Sequence, residues 1–256
     1  MIRSFAALAW NGFREARRNR VTLVVAAFAV ALLVTGMLLT SSTVSVLERV
    51  LADVGLGAMS LSLSLLAVFL SSGLLSREID RRTIFLVVSK PVSRGQFLLS
   101  RQAGNMITLT AMLAAMSLLF WGQHLLYGFS ATQPMVAAVG GLWFELFVLT
   151  SLGLLLSSFA GQITSGVVAL AVYLAGHLSA DLYRLATRSD SLGVKVLGKA
   201  AYYLLPNLER VSFRGQAAYN VHVDGAAFWG GAAYALGYSA VLLGLGVIIF
   251  SRRDFK

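Results

Sequence analysis

Six stretches of this chain are each long and apolar enough to cross a lipid bilayer, and that limits the fold more than any other feature. A spanning helix needs about 20 mostly apolar residues. Roughly Val21 to Thr40, Val54 to Leu75, Ala103 to Leu126, Pro134 to Ser157, Gln162 to Ala180 and Ala226 to Phe250 meet that length. The fourth and fifth are divided only by Ser158 to Gly161, so they read as a hairpin. Composition agrees: 57% of residues are hydrophobic and 12% charged, against about 25% charged in soluble domains. The expected fold is all-α, a polytopic membrane protein with six transmembrane helices forming one domain over residues 1–256.

Lysine and arginine in the connections set the orientation. Five lie in the N-terminal segment (Arg3, Arg14, Arg17, Arg18, Arg20), six between Arg77 and Arg101, and three in the C-terminal Ser251 to Lys256. Together these are 14 of the 21 basic residues, and their side is expected to be the cytoplasm, with both termini on it. The other side has Arg49 and six bases in a long outer segment, about 181–225. With bases placed beside apolar runs, the net charge of +10 reads as orientation and contact with anionic membrane lipid, and nucleic acid is not expected as a partner. There is no cysteine, which removes disulfides and thiolate chemistry.

Before the first apolar stretch, Ile2, Phe5, Ala6, Ala9, Phe13 and Ala16 recur at helical spacing, with Arg3, Asn11, Arg14 and Arg18 on the other face. This predicts an amphipathic helix over about 2–18 lying in the membrane interface. The following apolar run is longer than a signal-peptide core and no A-x-A cleavage site follows it, so it is expected to be retained.

The stretch REIDRRTIFLVVSKPVSRGQFLLSR, Arg77 to Arg101, holds eight charges between two apolar runs. Glu78 and Arg82 are four apart in the favourable order, and Arg77, Asp80 and Arg81 complete a turn too charged for hydrocarbon. Lys90-Pro91 breaks the helix. Ser93 and Gln96 have the spacing of a capping box that starts the next one. A short charged helix is thus joined to a membrane helix by a proline turn.

That run, with Glu78, Asp80, Thr83, Pro91, Ser93 and Arg94 matching together, resembles the signature between the second and third spans of ABC-2 type transporter permeases, the membrane subunits of ABC exporters. The likeness extends over the chain: an amphipathic elbow helix before the first span, six spans, a larger outer segment containing Leu205 to Val211, and a basic C-terminus. It is nearest to the six-span branch that includes the permease of the nitrous-oxide reductase maturation system. The resemblance implies that Arg77 to Val88 forms a cytoplasmic coupling helix seated on a separate ATPase. Arg77, Glu78, Asp80, Arg81, Arg82, Thr83, Pro91, Ser93 and Arg94 would be the coupling residues of segment 77–94. It also implies a homodimer of permeases with two copies of a cytoplasmic ABC ATPase, in a cytoplasmic (inner) membrane.

No catalytic site is expected in this chain. Gly193 to Ala200, GVKVLGKA, nearly spells a phosphate-binding loop, but Ala200 stands where a Ser or Thr would hold magnesium and no strand precedes it. ATP and magnesium are therefore expected in the partner, with no cofactor bound here. The histidines (His124, His177, His222) give no metal pattern, and His222 with Asp224 is too little for a site. Trp121, Trp229, Tyr202 and Tyr203 read as interfacial anchors.

Two features fall within the spans. Glu145 sits near the middle of the fourth, where a charge costs about 2.5 to 3.5 kcal/mol on insertion scales, so it needs a partner or a wet surface. His177 or an arginine is the candidate partner, and the role is either substrate contact and gate or helix packing. Gly57, Ser60, Ser64, Ala67 and Ser71 give the second span one small, mildly polar face, suited to close helix packing or to lining a path. Ser60, Ser64 and Ser71 join Glu145 as translocation or gate candidates. The principal expectation is an exporter permease. Its rivals are a mechanotransmitter passing force to a periplasmic partner through Asp181 to Gly225, and secondary transport through Glu145.

Overall fold

The computed structural model describes residues 21–38, 44–73, 94–189 and 191–252. The predicted elbow helix and the coupling segment lie outside these residues, except for the backbone of Arg94. Among the described residues there is no strand. In order, the helices are α1 Val21–Leu38, α2 Val44–Ser72, α3 Arg94–Leu126, α4 Gln133–Ser157, α5 Gln162–His177, α6 Ser179–Arg188, α7 Leu192–Leu204, a 3-10 turn Leu208–Val211, α8 Arg214–Ala218 and α9 Gly225–Arg252.

Four of these, α2, α3, α4 and α9, are long and apolar enough to cross a membrane. Helices are the natural outcome, because hydrocarbon offers backbone N–H and C=O groups no partner outside the chain. Of the other two expected spans, the described part of α1 has 18 residues, about 27 Å, and α5 has 16, or about 24 Å at 1.5 Å per residue, against about 30 Å of hydrocarbon. α5 stops where Leu178 leaves the helical region (φ −96°, ψ 3°), and the chain restarts as α6. In contrast, α2 and α3 begin about ten residues before their apolar windows, because a helix continues into the interface as long as its backbone is bonded.

α4 is the hub. It packs against α9, α2, α3, α5, α8 and the 3-10 turn, and Leu146, Leu149 and Leu154 on different sides of it are fully buried. A helix apolar on every side is a core helix. Short contacts without bulky side chains draw its neighbours in. A Cβ on Gly153 would strike Ser71 Oγ of α2, and one on Gly246 of α9 would stand 3.3 Å from Leu98 of α3. Side-chain amides add cross-links: Gln102 Nε2 of α3 donates to Thr150 Oγ1 (2.9 Å) and Ser151 Oγ (3.2 Å) of α4.

The ends of the bundle differ. At one, the basic end, Gly95 meets Val247 and Phe97 stacks with Phe250 near Arg101 and Arg252. At the other, the loop end, lie α6, α7, the 3-10 turn and α8. α3 ends there in a Schellman motif with Gly128 at φ 79°, Phe129 N–H donating to His124 C=O over 2.9 Å. α8 ends in the same way with Asn220 at φ 51°, a residue that tolerates the left-handed region.

Candidate translocation and gate site

Between α7 and α9 the chain does not stay on the surface but dips into the bundle. Leu208, Val211 and Phe213 are almost wholly buried. Backbone can descend there because three helices present glycine to it. A Cβ on Gly176 of α5 would lie 2.7 Å from the Pro206 carbonyl oxygen, and one on Gly231 of α9 would lie 2.6 Å from that of Arg210. A Cβ on Gly141 of α4 would collide with the Val211 carbonyl. The segment 206–213 is thus a plug whose seat consists of missing side chains. It lies beside the C-terminal end of α5, whose 16 residues make about 24 Å of helix.

Polar ties hold the plug's flanks. Tyr234 of α9 accepts from the Asn207 N–H (2.8 Å), Tyr238 donates to the Leu204 carbonyl (2.8 Å), and the Arg210 guanidinium lies over the Tyr234 ring at 5.1 Å. After the plug, Gln133 grips both backbone groups of Val223. Its Nε2 donates to the carbonyl (2.9 Å) and its Oε1 accepts from the N–H (3.1 Å). Arg49 of α2 stacks over Tyr219 at 3.7 Å.

Directly beneath the plug lies a polar node. Glu145 is one helical turn beyond Gly141, and His177 follows Gly176. The Glu145 residue is 1% exposed, and its Oε1 accepts from Ser64 Oγ of α2 at 3.1 Å and lies 3.1 Å from His177 Nε2. The Tyr173 phenol faces Ser60 and Ser64. The acid therefore joins α2, α4 and α5 about 18 Å from the Ser157 end of α4. Interhelical polar contacts of this kind contribute about 0.6 kcal/mol each, reaching about 1.7. The alternative, an unpaired carboxylate in hydrocarbon, would be far more costly.

The profile of the ABC-2 family transporter proteins matches residues 6–255, nearly the whole chain. The chain belongs to the ABC-2 transporter family. No curated protein matches it. Family membership and the apolar helices make this ABC-2 chain a multi-pass membrane protein and a membrane component of transport.

Of the residues singled out from sequence, Glu145, Ser60 and Ser64 come together in the node, with His177 as the partner. Ser71 lies elsewhere, against Gly153 toward the basic end, its hydroxyl donating to the Ala67 carbonyl of its own helix (2.7 Å). Ser60, Ser64, Ala67 and Ser71 are fully buried, whereas among the described residues nothing lies within 4 Å of a Cβ built on Gly57. Arg77 through Ser93 lie outside the described residues. The near-P-loop Gly193 to Ala200 is wound into α7, so it forms no phosphate-cradling loop. Sequence reading missed the seat. Its signal was present in Gly140-Gly141 and Gly230-Gly231 inside spans, but glycine marks a close approach without naming what approaches.

Proposed function

We propose that this ABC-2 chain is the permease subunit of an ATP-driven exporter, working as a homodimer with two copies of a cytoplasmic ABC ATPase in a cytoplasmic membrane. The observation that carries this reading is the family match across residues 6–255 on a bundle of long apolar helices. The basic end faces the cytoplasm, where Arg77 to Arg94 engages the ATPase. The loop end faces outward, and the plug on Gly141, Gly176 and Gly231 is the outer gate. Glu145 and His177 latch it by tying α4 to α5 under the Pro206 and Val211 carbonyls. ATPase closure moves the segment around Glu78 and Arg82, and α2 and α3 pass that motion to α4 until the latch parts.

Purification of the tagged protein from its native membrane in mild detergent tests the partnership. A stoichiometric ATPase carrying a P-loop supports the reading, and a chain that is active without ATP overturns it. The gate has its own test, simplified by the absence of native cysteine. S60C is expected to resist a membrane-impermeant thiol reagent at rest and to react when ATP is supplied with the ATPase. H177A should make it reactive without ATP. Unreactive S60C throughout active transport would remove this gate.

The second reading, force passed to a periplasmic partner without transport, is favoured by the way the outer segment is keyed into three spans. Removing α6 and α7 would then abolish partner binding and spare ATPase activity.

A further inference from the structure

The α6–α7 hairpin is the part of the bundle with the least protein around it. It meets the rest chiefly through α5 and the 3-10 turn, and its two helices hold each other by Tyr183 against Tyr202, ring centroids 4.7 Å apart. On α7 a stripe of large side chains is exposed among the described residues: Leu192 (77% exposed), Val196 (58%) and Tyr203 (76%), which share one helical face. Lys195 and Lys199 lie along one edge of that stripe. Across the hairpin, bases Arg184, Arg188, Lys195 and Lys199 outnumber the acids Asp181 and Asp190.

Depth identifies what covers the stripe. α5 rises only about 24 Å from the turn at the basic end, so α6 starts about 6 Å below the far edge of the hydrocarbon. The hairpin consequently lies at the height of the lipid glycerol and headgroups. A helix there with an apolar stripe edged by lysines takes acyl chain on the stripe, and its ammonium groups reach up to phosphate.

We propose that the α6–α7 hairpin is a membrane-surface anchor that binds anionic phospholipid in the leaflet at the loop end. Leu192, Val196 and Tyr203 enter the acyl region, and Lys195 and Lys199 pair with headgroup phosphates. The anchor is continuous with the gate, since only Leu205 separates α7 from Pro206. It does not depend on the ATPase partnership.

Single-cysteine variants L192C, V196C and R184C, labelled with an environment-sensitive fluorophore, test this in the full chain. Each is reconstituted in vesicles of phosphatidylcholine, with and without phosphatidylglycerol. The dye at positions 192 and 196 is expected to be quenched by nitroxide-labelled lipid, and the dye at 184 by aqueous iodide. Adding K195E/K199E should weaken lipid quenching at 196 roughly tenfold or more where phosphatidylglycerol is present, and little in phosphatidylcholine alone. Iodide quenching at 192 and 196 equal to that at 184 would overturn the proposal. So would shielding from both quenchers, which would mean a second copy or a soluble partner covers the stripe, or a charge-reversal effect equal in both vesicles.

Discussion

Three glycines and one acid concentrate the consequences of this structure at the scale of single residues. A methyl group at Gly141, Gly176 or Gly231 has no space while the plug is seated, and overpacking of this kind costs about 1 to 3 kcal/mol. G141A and G231A are expected to lower the thermal unfolding midpoint in detergent and to expose S60C at rest. G57A, with nothing near its Cβ, should do neither. At Glu145 the shape of the acceptor matters as well as its charge. E145Q keeps an oxygen for Ser64 and His177 and should remain near wild-type stability. E145A leaves both without their acceptor and should lose about 1 to 3 kcal/mol, read from unfolding curves of the two variants side by side.

Helices and their contacts were unevenly legible in the sequence. Apolar length alone gave all-helical spans, since hydrocarbon permits little else, and the proximity of Glu145 to His177 was open to suspicion because a buried acid must have a partner. Which helix would be central was hidden: α4 and α9 have the same apolar character, and only tertiary packing buries most of α4 while leaving much of α9 exposed. The stop of α5 at His177 was hidden too, because Leu178 to Ala180 is apolar enough to extend a window although its backbone is not helical at Leu178. Interhelical amides were equally silent, as a glutamine in an apolar run does not say what it reaches. Q102L is expected to weaken the α3–α4 contact by about 0.6 kcal/mol, with a ceiling near 1.7, measured by unfolding in detergent. Q133L frees both backbone groups of Val223, and should raise S60C reactivity in the absence of ATP.

At the scale of the whole molecule, the two ends have different work. Among the described residues the basic end holds Arg101 and Arg252, and under the proposed function the segment between α2 and α3 receives force there. Reversing the charges of Glu78 and Arg82 together should abolish ATP-driven S60C exposure and leave the resting protection intact, since the seat is made by Gly141, Gly176 and Gly231. Normal exposure in that variant would place the force input elsewhere.

The seat also acts as a test of alignment. Each glycine admits the plug only while it points at it, so the plug fits when three separate helices have the correct rotation at the same moment, as tumblers do in a lock. The tolerance is not equal. Gly140 and Gly230 precede two of the seat glycines, so α4 and α9 can each turn by one residue in one sense and still offer a gap, while the other sense brings Leu142 or Ala232. α5 has no such allowance, because Ala175 and His177 flank Gly176. A turn of α5 by one residue in either direction would bring a side chain, Ala175 or His177, to the plug's backbone, so α5 has the narrowest allowance of the three.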